Sequence, residues 1–313
     1  MQSDLSSKPH SLTVARQGTA EWITYRERGS MTLLRIMTFL SLRCGRRISR
    51  GFLYLIAAYF FVFAPTVRTH ARAYLRRVLG RDPGAAERFR HLLCFATTIH
   101  DRVYLVRGRF TVFDICVAGV ECVTEALQRG QGAFLMGSHL GSFEVIHSVG
   151  RTQPGLRVAM AMYEDNARKV NNLLAALNPA ALPEVIPLGR MDAMLRIRED
   201  LDRGMFVGML ADRTLGSEDA RQVMFLGAPA RFPSGPMRAA ALMRRPVIFM
   251  AGLYCGGNRY RIVFEQLADF SAIAPAAREA AIDAAIDRYA ARLEHYCRTA
   301  PFNWFNFFDF WRN

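Results

Sequence analysis

The first thirty positions are polar and charged, with Trp22 and Tyr25 the large exceptions, and this pattern predicts a leader rather than a secretory signal. From Met31 to Leu42 the apolar residues, among them Leu33, Leu34, Met37 and Leu40, recur at helical spacing and give way to Arg43, Arg46, Arg47 and Arg50. That is an amphipathic helix with a basic end. Phe52 to Ala64 is an apolar and aromatic run stopped by Pro65 and followed by Arg68, Arg72, Arg76, Arg77 and Arg81. At about 14 residues it is shorter than the ~20 a helix needs to span a bilayer. With basic flanks on both sides, it predicts an element lying in or dipping into an anionic membrane face, the alternative being a buried core helix.

Asp82-Pro83-Gly84 breaks this region from a long helical pattern, Ala85 to Val106. From Phe113 short apolar runs alternate with helical ones. Strands are predicted at Phe113–Ala118, Ala133–Met136, Arg157–Met162, Glu184–Leu188 and Met205–Leu210, with helices at Val120–Gln128, from Ser142, at Asn166–Leu177 and at Asp192–Asp202. This alternation implies βαβ units, hence an α/β fold with a mixed, largely parallel central sheet flanked by helices. Val223–Leu226 reads as a further strand, and Phe232–Pro236 as a turn capping a helix at Met237–Met243. Pro246–Leu253 and Tyr260–Phe264 read as a hairpin turning at Gly256-Gly257-Asn258. A last helix, Pro275 to Cys297, precedes the aromatic tail Pro301–Trp311. The chain divides into a leader (1–30), membrane-associating helices (31–82) and a catalytic domain (83–313).

Charge narrows the partners. The formal net charge of +14 and pI near 10.1 call for an anionic partner. An apolar fraction of 51%, with 22 Phe and 14 Met, and no zinc-finger, RNP or helix-turn-helix signature, argue against nucleic acid and for a membrane. The six cysteines are scattered without a CxxC, the pattern of a reduced, cytosol-facing chain.

The chemistry concentrates in Gly132–Glu144, where an apolar strand runs into a small-residue turn. A strand ending near Ser138 and a helix starting near Ser142 place His139 on the connecting loop, at the carboxyl end of a parallel strand where open α/β sheets bind ligands. Glu144 then falls in the first helical turn, and the turn is expected to bring it behind the imidazole. A histidine so placed takes a proton from a substrate hydroxyl as that oxygen attacks a carbonyl, and the carboxylate fixes its tautomer. His147, three residues after Glu144, permits a His139, Glu144, His147 metal site, but the spacing matches no familiar zinc pattern and a structural role for His147 is preferred. Ser138 and Ser142 lack the G-x-S-x-G context of a nucleophile elbow and read as turn or cap residues.

His139 to Glu144, followed by Gly204–Arg213, Phe225–Ala230 and Ser234-Gly235-Pro236, resembles the lysophospholipid acyltransferase superfamily, and within it the lipid A biosynthesis lauroyl/myristoyl acyltransferases. The N-terminal pattern and the aromatic tail also look like the acyltransferases associated with bacterial aryl-polyene lipid gene clusters. The resemblance implies an O-acyltransferase of the H-x4-D/E type on the cytoplasmic face of the bacterial inner membrane. Such an enzyme moves a fatty acyl chain from acyl carrier protein, or from acyl-CoA, to a hydroxyl of a membrane lipid, with no other cofactor and no metal. It implies His139 as general base, Glu144 as its charge-relay partner and Asp212 as the acidic residue of the second block. Ser138, Gly141, Arg190, Arg213, Ser234 and Gly235 are the matching candidates for substrate binding, Arg190 and Arg213 for anionic groups. A thioesterase or lipase using the same His139 and Glu144, and a membrane-associated protein in which the motif is vestigial, are the competing readings.

Overall fold

The computed structural model describes residues 31–163, Asn178, 184–214 and 219–311, with side chains from Met37 onward. The leader and the helix expected at Asn166–Leu177 lie outside these residues. A seven-stranded sheet forms the centre, in the order β1-β9-β8-β2-β5-β3-β4. Its strands are β1 (Asp114–Ala118), β2 (Ala133–Gly137), β3 (Val158–Met162), β4 (Glu184–Pro187), β5 (Phe206–Leu210), β8 (Pro246–Tyr254) and β9 (Arg259–Asp269). Every neighbouring pair is parallel except β8 and β9, so the sheet is mixed and mostly parallel, as expected. β6 (Ala220–Phe225) and β7 (Ala228–Pro233) form a separate antiparallel hairpin. Its second strand was not foreseen; Leu226 and Gly227 both turn at positive φ, and Leu226 in that region gives little sequence signal.

The central strands β2, β5 and β8 are buried on both faces, while the edge strand β1 is not. Along β2, Phe134 and Met136 face one core, while Ala133 and Leu135 face the other, the period of two that a strand imposes. The first core is covered by α2 (Pro65–Leu79), α6 (Ala193–Asp202), α7 (Gly235–Leu242) and α8 (Arg278–Thr299), together with Trp304 and Phe310 of the tail. Residues of α3 (Ala85–Val106), α4 (Val120–Arg129) and α5 (Phe143–Gly150) pack into the second.

The structure adds detail to the helices expected in the N-terminal region. The two apolar stretches before Pro65 are helical on either side of a break at Gly45, whose backbone (φ 76°, ψ 168°) is not helical, and together make up α1 (Met31–Phe63). Pro65, which ends the apolar run, starts the next helix: proline suits the first helical position, where no intrahelical N–H bond is lost. The arginines are also largely engaged within the protein. Arg46 makes a two-pronged pair with buried Asp101 of α3, both bonds at 2.7 Å, and Tyr260 donates to the same carboxylate at 2.8 Å. Arg72 pairs with Asp82, Arg81 with Glu87, and Arg77 lies over the Trp311 ring.

No single helix among the described residues is long and apolar enough to cross a membrane, although Met37–Phe63 and Pro65–Leu79, bent by 96°, together have the length and composition. Leu53 and Ala57 of α1 face inward, while Phe52, Leu55, Tyr59, Val62 and Phe63 are exposed.

Candidate active site

β2 ends at Gly137, and the chain turns over Ser138 to His139. β5 lies beside β2 in parallel register, Gly137 opposite Leu210, and the Ala211 N–H donates to the Gly137 carbonyl at 3.0 Å. Asp212 is two residues beyond Leu210, as His139 is two beyond Gly137. Neighbouring strands stand about 4.8 Å apart, so the register alone brings this carboxylate beside the imidazole. His139 Nδ1 lies 2.9 Å from Asp212 Oδ1, and the His139 backbone N–H donates to Oδ2 at 3.0 Å.

Asp212, not Glu144, is therefore the carboxylate behind His139. Glu144 occupies the first turn of α5, as expected, but pairs with Arg102 of α3 at 2.7 Å. Its place on the helix directs it to α3, which packs along α5, while the adjacent strand already supplies His139 with an acid. Sequence spacing missed this arrangement because the pairing depends on strand order: β5 follows β2 by some seventy positions and is its direct neighbour.

The electrostatics suit a base. The Asp212 side chain is 1% exposed and the His139 side chain 30%, so the acid is sealed beneath a ring that still reaches the surface. Burial would raise Asp212, but His139, Arg213 and the donated N–H bonds more than offset it and hold the carboxyl well below its usual range. An ionised carboxylate only accepts, so the proton on the imidazole sits at Nδ1 and Nε2 carries the free lone pair. Burial and then the positive charge of Arg213 push His139 below the ordinary histidine value, Asp212 opposing them, with Arg102 adding to the depression. The imidazole is neutral at neutral pH, the form a general base needs. Burial also lowers Arg213, to about 10; its guanidinium lies over the Phe308 ring and donates to the Phe305 carbonyl at 3.3 Å.

The loop itself is held by close backbone contacts. Gly141 has φ 75°, and a Cβ there would overlap the Gly252 carbonyl oxygen; a Cβ on Gly252 would overlap the Ser142 carbonyl. The Ser142 N–H donates to the Gly252 carbonyl at 2.7 Å, locking the loop to β8. The aromatic tail supplies the other wall. The Gly141 N–H donates to the Asn303 carbonyl and the Phe305 N–H to the His139 carbonyl, both at 2.8 Å, and the Trp304 indole N–H donates to Asp212 Oδ2 at 3.1 Å. Asn303 fixes the tail to the end of β8 through two bonds with the Tyr254 backbone, at 2.7 and 3.1 Å. Sequence reasoning missed this role of the tail; Trp304, one of two indoles in a phenylalanine-rich segment, was the available signal.

The remaining candidates are more dispersed. Arg190 sits just beyond β4, on the same sheet edge but three strands from β2, roughly 14 Å away; it is exposed and bonded to Asp192 at 3.2 Å. Ser234 and Gly235 form the corner between β7 and α7, where the Ser234 N–H donates to the Asp219 carbonyl at 2.9 Å, outside the hydrogen-bond network of His139. His147 stacks on Phe143, and burial lowers it to about 4. Among the described residues no group of three His, Cys, Asp or Glu side chains is placed to hold a metal ion.

A buried carboxylate behind a neutral, surface-reaching imidazole can accept a proton from a hydroxyl and stabilise the imidazolium that forms. The family model for bacterial lipid A biosynthesis acyltransferases matches residues 17–313. No curated protein matches the chain.

Proposed function

The chain belongs to the bacterial lipid A biosynthesis acyltransferase family, and from that premise we propose that it transfers a fatty acyl chain from an acyl carrier protein thioester to a hydroxyl of a membrane glycolipid, with His139 as general base and Asp212 as its orienting acid. His139 Nε2 accepts the proton of the acceptor hydroxyl as that oxygen attacks the thioester carbonyl, and the negative charge of Asp212 stabilises the imidazolium. Collapse of the tetrahedral intermediate breaks the carbon–sulfur bond, and the carrier thiol leaves with the proton returned by His139. The products are an ester and a free thiol; no covalent enzyme intermediate and no cofactor beyond the donor enter.

Arg213 sits against the dyad, where its charge can favour the developing oxyanion or an anionic group of either substrate. Glu144 acts through Arg102, balancing a cation that otherwise depresses the basicity of His139. Arg190 is assigned to an outlying head-group contact, and Ser138 and Gly141 to shaping the loop. We further place the chain on the cytoplasmic face of the bacterial inner membrane. The exposed apolar side of α1 and the net charge of +14 support that reading, with an anionic bilayer and an acidic carrier protein as partners.

The observation that carries the proposal is the His139–Asp212 pair at the carboxyl end of β2. Incubation of the purified chain with radiolabelled lauroyl-acyl carrier protein, with and without an under-acylated lipid A precursor in mixed micelles, tests it. Acceptor-dependent formation of labelled lipid ester is expected. Release of free fatty acid at the same rate without acceptor would instead identify a thioesterase working at the same dyad.

A further inference from the structure

Asp212 has a third donor besides the two N–H groups of His139. The Trp304 indole N–H reaches Oδ2 at 3.1 Å, leaving Oδ1 to the imidazole. Trp304 is itself wholly buried and wedged among Tyr74, Phe225 and Phe310, whose ring centroids lie 5.0, 5.4 and 4.9 Å from its own. The indole cannot swing away without opening the core. Its backbone is fixed as well, because the Trp304 carbonyl accepts from His91 Nε2 at 2.9 Å while the residues on either side hydrogen-bond the His139 loop. The tail thus meets the dyad twice, through its backbone at the loop and through the indole at the acid.

We propose that Trp304 is a positioning residue of the active site, its indole N–H holding the Asp212 carboxylate in the orientation that directs Oδ1 to His139. The inference rests on the reading of His139 and Asp212 as the working pair. A carboxylate deprived of this donor is held at Oδ2 by the His139 N–H alone, is less firmly oriented, and carries a less neutralised charge. The first effect misaligns the imidazole; the second stabilises the imidazolium and moves the titration of His139 to higher pH.

The test uses the full chain with Trp304→Phe, and with benzothienylalanine at position 304, which keeps the bicyclic shape, lacks the N–H and guards against a folding defect. Phe310→Leu loosens the same packing and leaves the donor in place. Two readouts are taken: the titration of the His139 ring by proton–carbon NMR, assigned with His139→Gln, and the pH profile of acyl transfer from lauroyl-acyl carrier protein. Both position-304 variants are expected to raise the midpoint of the His139 titration, to lower kcat about 10- to 100-fold, the size expected for a lost hydrogen bond to a charged group, and to leave KM within about twofold. Phe310→Leu is expected to leave the midpoint in place. An unmoved midpoint in the two Trp304 variants, or an equal movement in Phe310→Leu, overturns the proposal. The NMR titration does not depend on turnover, so a chain that transferred no acyl group would contradict the functional reading while the role of Trp304 was still decided.

Discussion

At the scale of single residues the site is a matter of which carboxylate meets His139. Spacing along the chain pointed to Glu144, five positions away; the parallel register of β2 and β5 delivers Asp212 instead. The identities of both acids and of the base were legible in the motifs, but their pairing was not, because it depends on strand order in the sheet. The depressed titration of His139 makes a pH prediction. The base must be neutral to act, so activity falls as pH drops through its titration, and the acid limb of kcat/KM lies below the ordinary histidine value of about 6.5. Gly141 is a second residue-scale constraint. Gly141→Ala forces a side chain into a positive φ and against the Gly252 carbonyl, and is expected to lower the midpoint of thermal unfolding by several degrees and to abolish transfer. The Arg102–Glu144 pair admits a double-mutant cycle. Glu144→Gln leaves the Arg102 charge unbalanced beside His139 and lowers activity, and adding Arg102→Gln recovers part of the loss. A relay role for Glu144 would allow no such recovery.

At the scale of elements, the strand and helix periodicities from Ala85 to Leu210 located the described pieces within a residue or two, since a two-sided buried sheet and its amphipathic helices leave strong patterns. What they could not convey is how α1 and the tail dock, because both attach through polar contacts between distant positions. α1 is tied to α3 by Arg46 on Asp101. Burial alone would raise that carboxyl, but hydrogen bonds from His100 and Arg46 and the charge of Arg46 hold it below its usual value. Asp101→Asn strands a buried guanidinium, a change expected to cost about 3–5 kcal/mol, read as a lower urea midpoint. The tail is joined to α3 through His91, which burial lowers to about 4. An unfolded chain binds that proton near pH 6.5 and the native chain only near pH 4. The stability contributed by His91 is thus complete above about pH 6.5 and lost as pH falls toward 4, and His147, depressed to about 4 as well, acts in the same direction.

At the scale of the whole molecule, the basic charge and the apolar flank combine into one expectation. The exposed residues Leu55, Tyr59 and Val62 share the outer side of α1, and replacing them with glutamate is expected to reduce sedimentation with phosphatidylglycerol vesicles while leaving the fold intact. Raising salt is expected to weaken the binding of the unaltered chain, since surface charge attraction is screened within about 10 Å at 0.1 M. The basic composition was legible from the start, yet its meaning changed with the fold, because several of the arginines read as membrane-facing form pairs or ring contacts with other residues of the chain, buried for Arg46 and exposed for Arg72 and Arg81. Independently of partner and place, the proposed acyl transfer requires His139 and Asp212 to act together. It is tested most directly by the rate of label transfer from lauroyl-acyl carrier protein to a lipid A precursor, measured side by side for the unaltered chain, His139→Ala, Asp212→Asn and Glu144→Gln. The expected result is a loss of about a thousandfold or more in each of the first two variants and a smaller loss in Glu144→Gln. An Asp212→Asn enzyme that kept its rate while Glu144→Gln lost it would contradict the account.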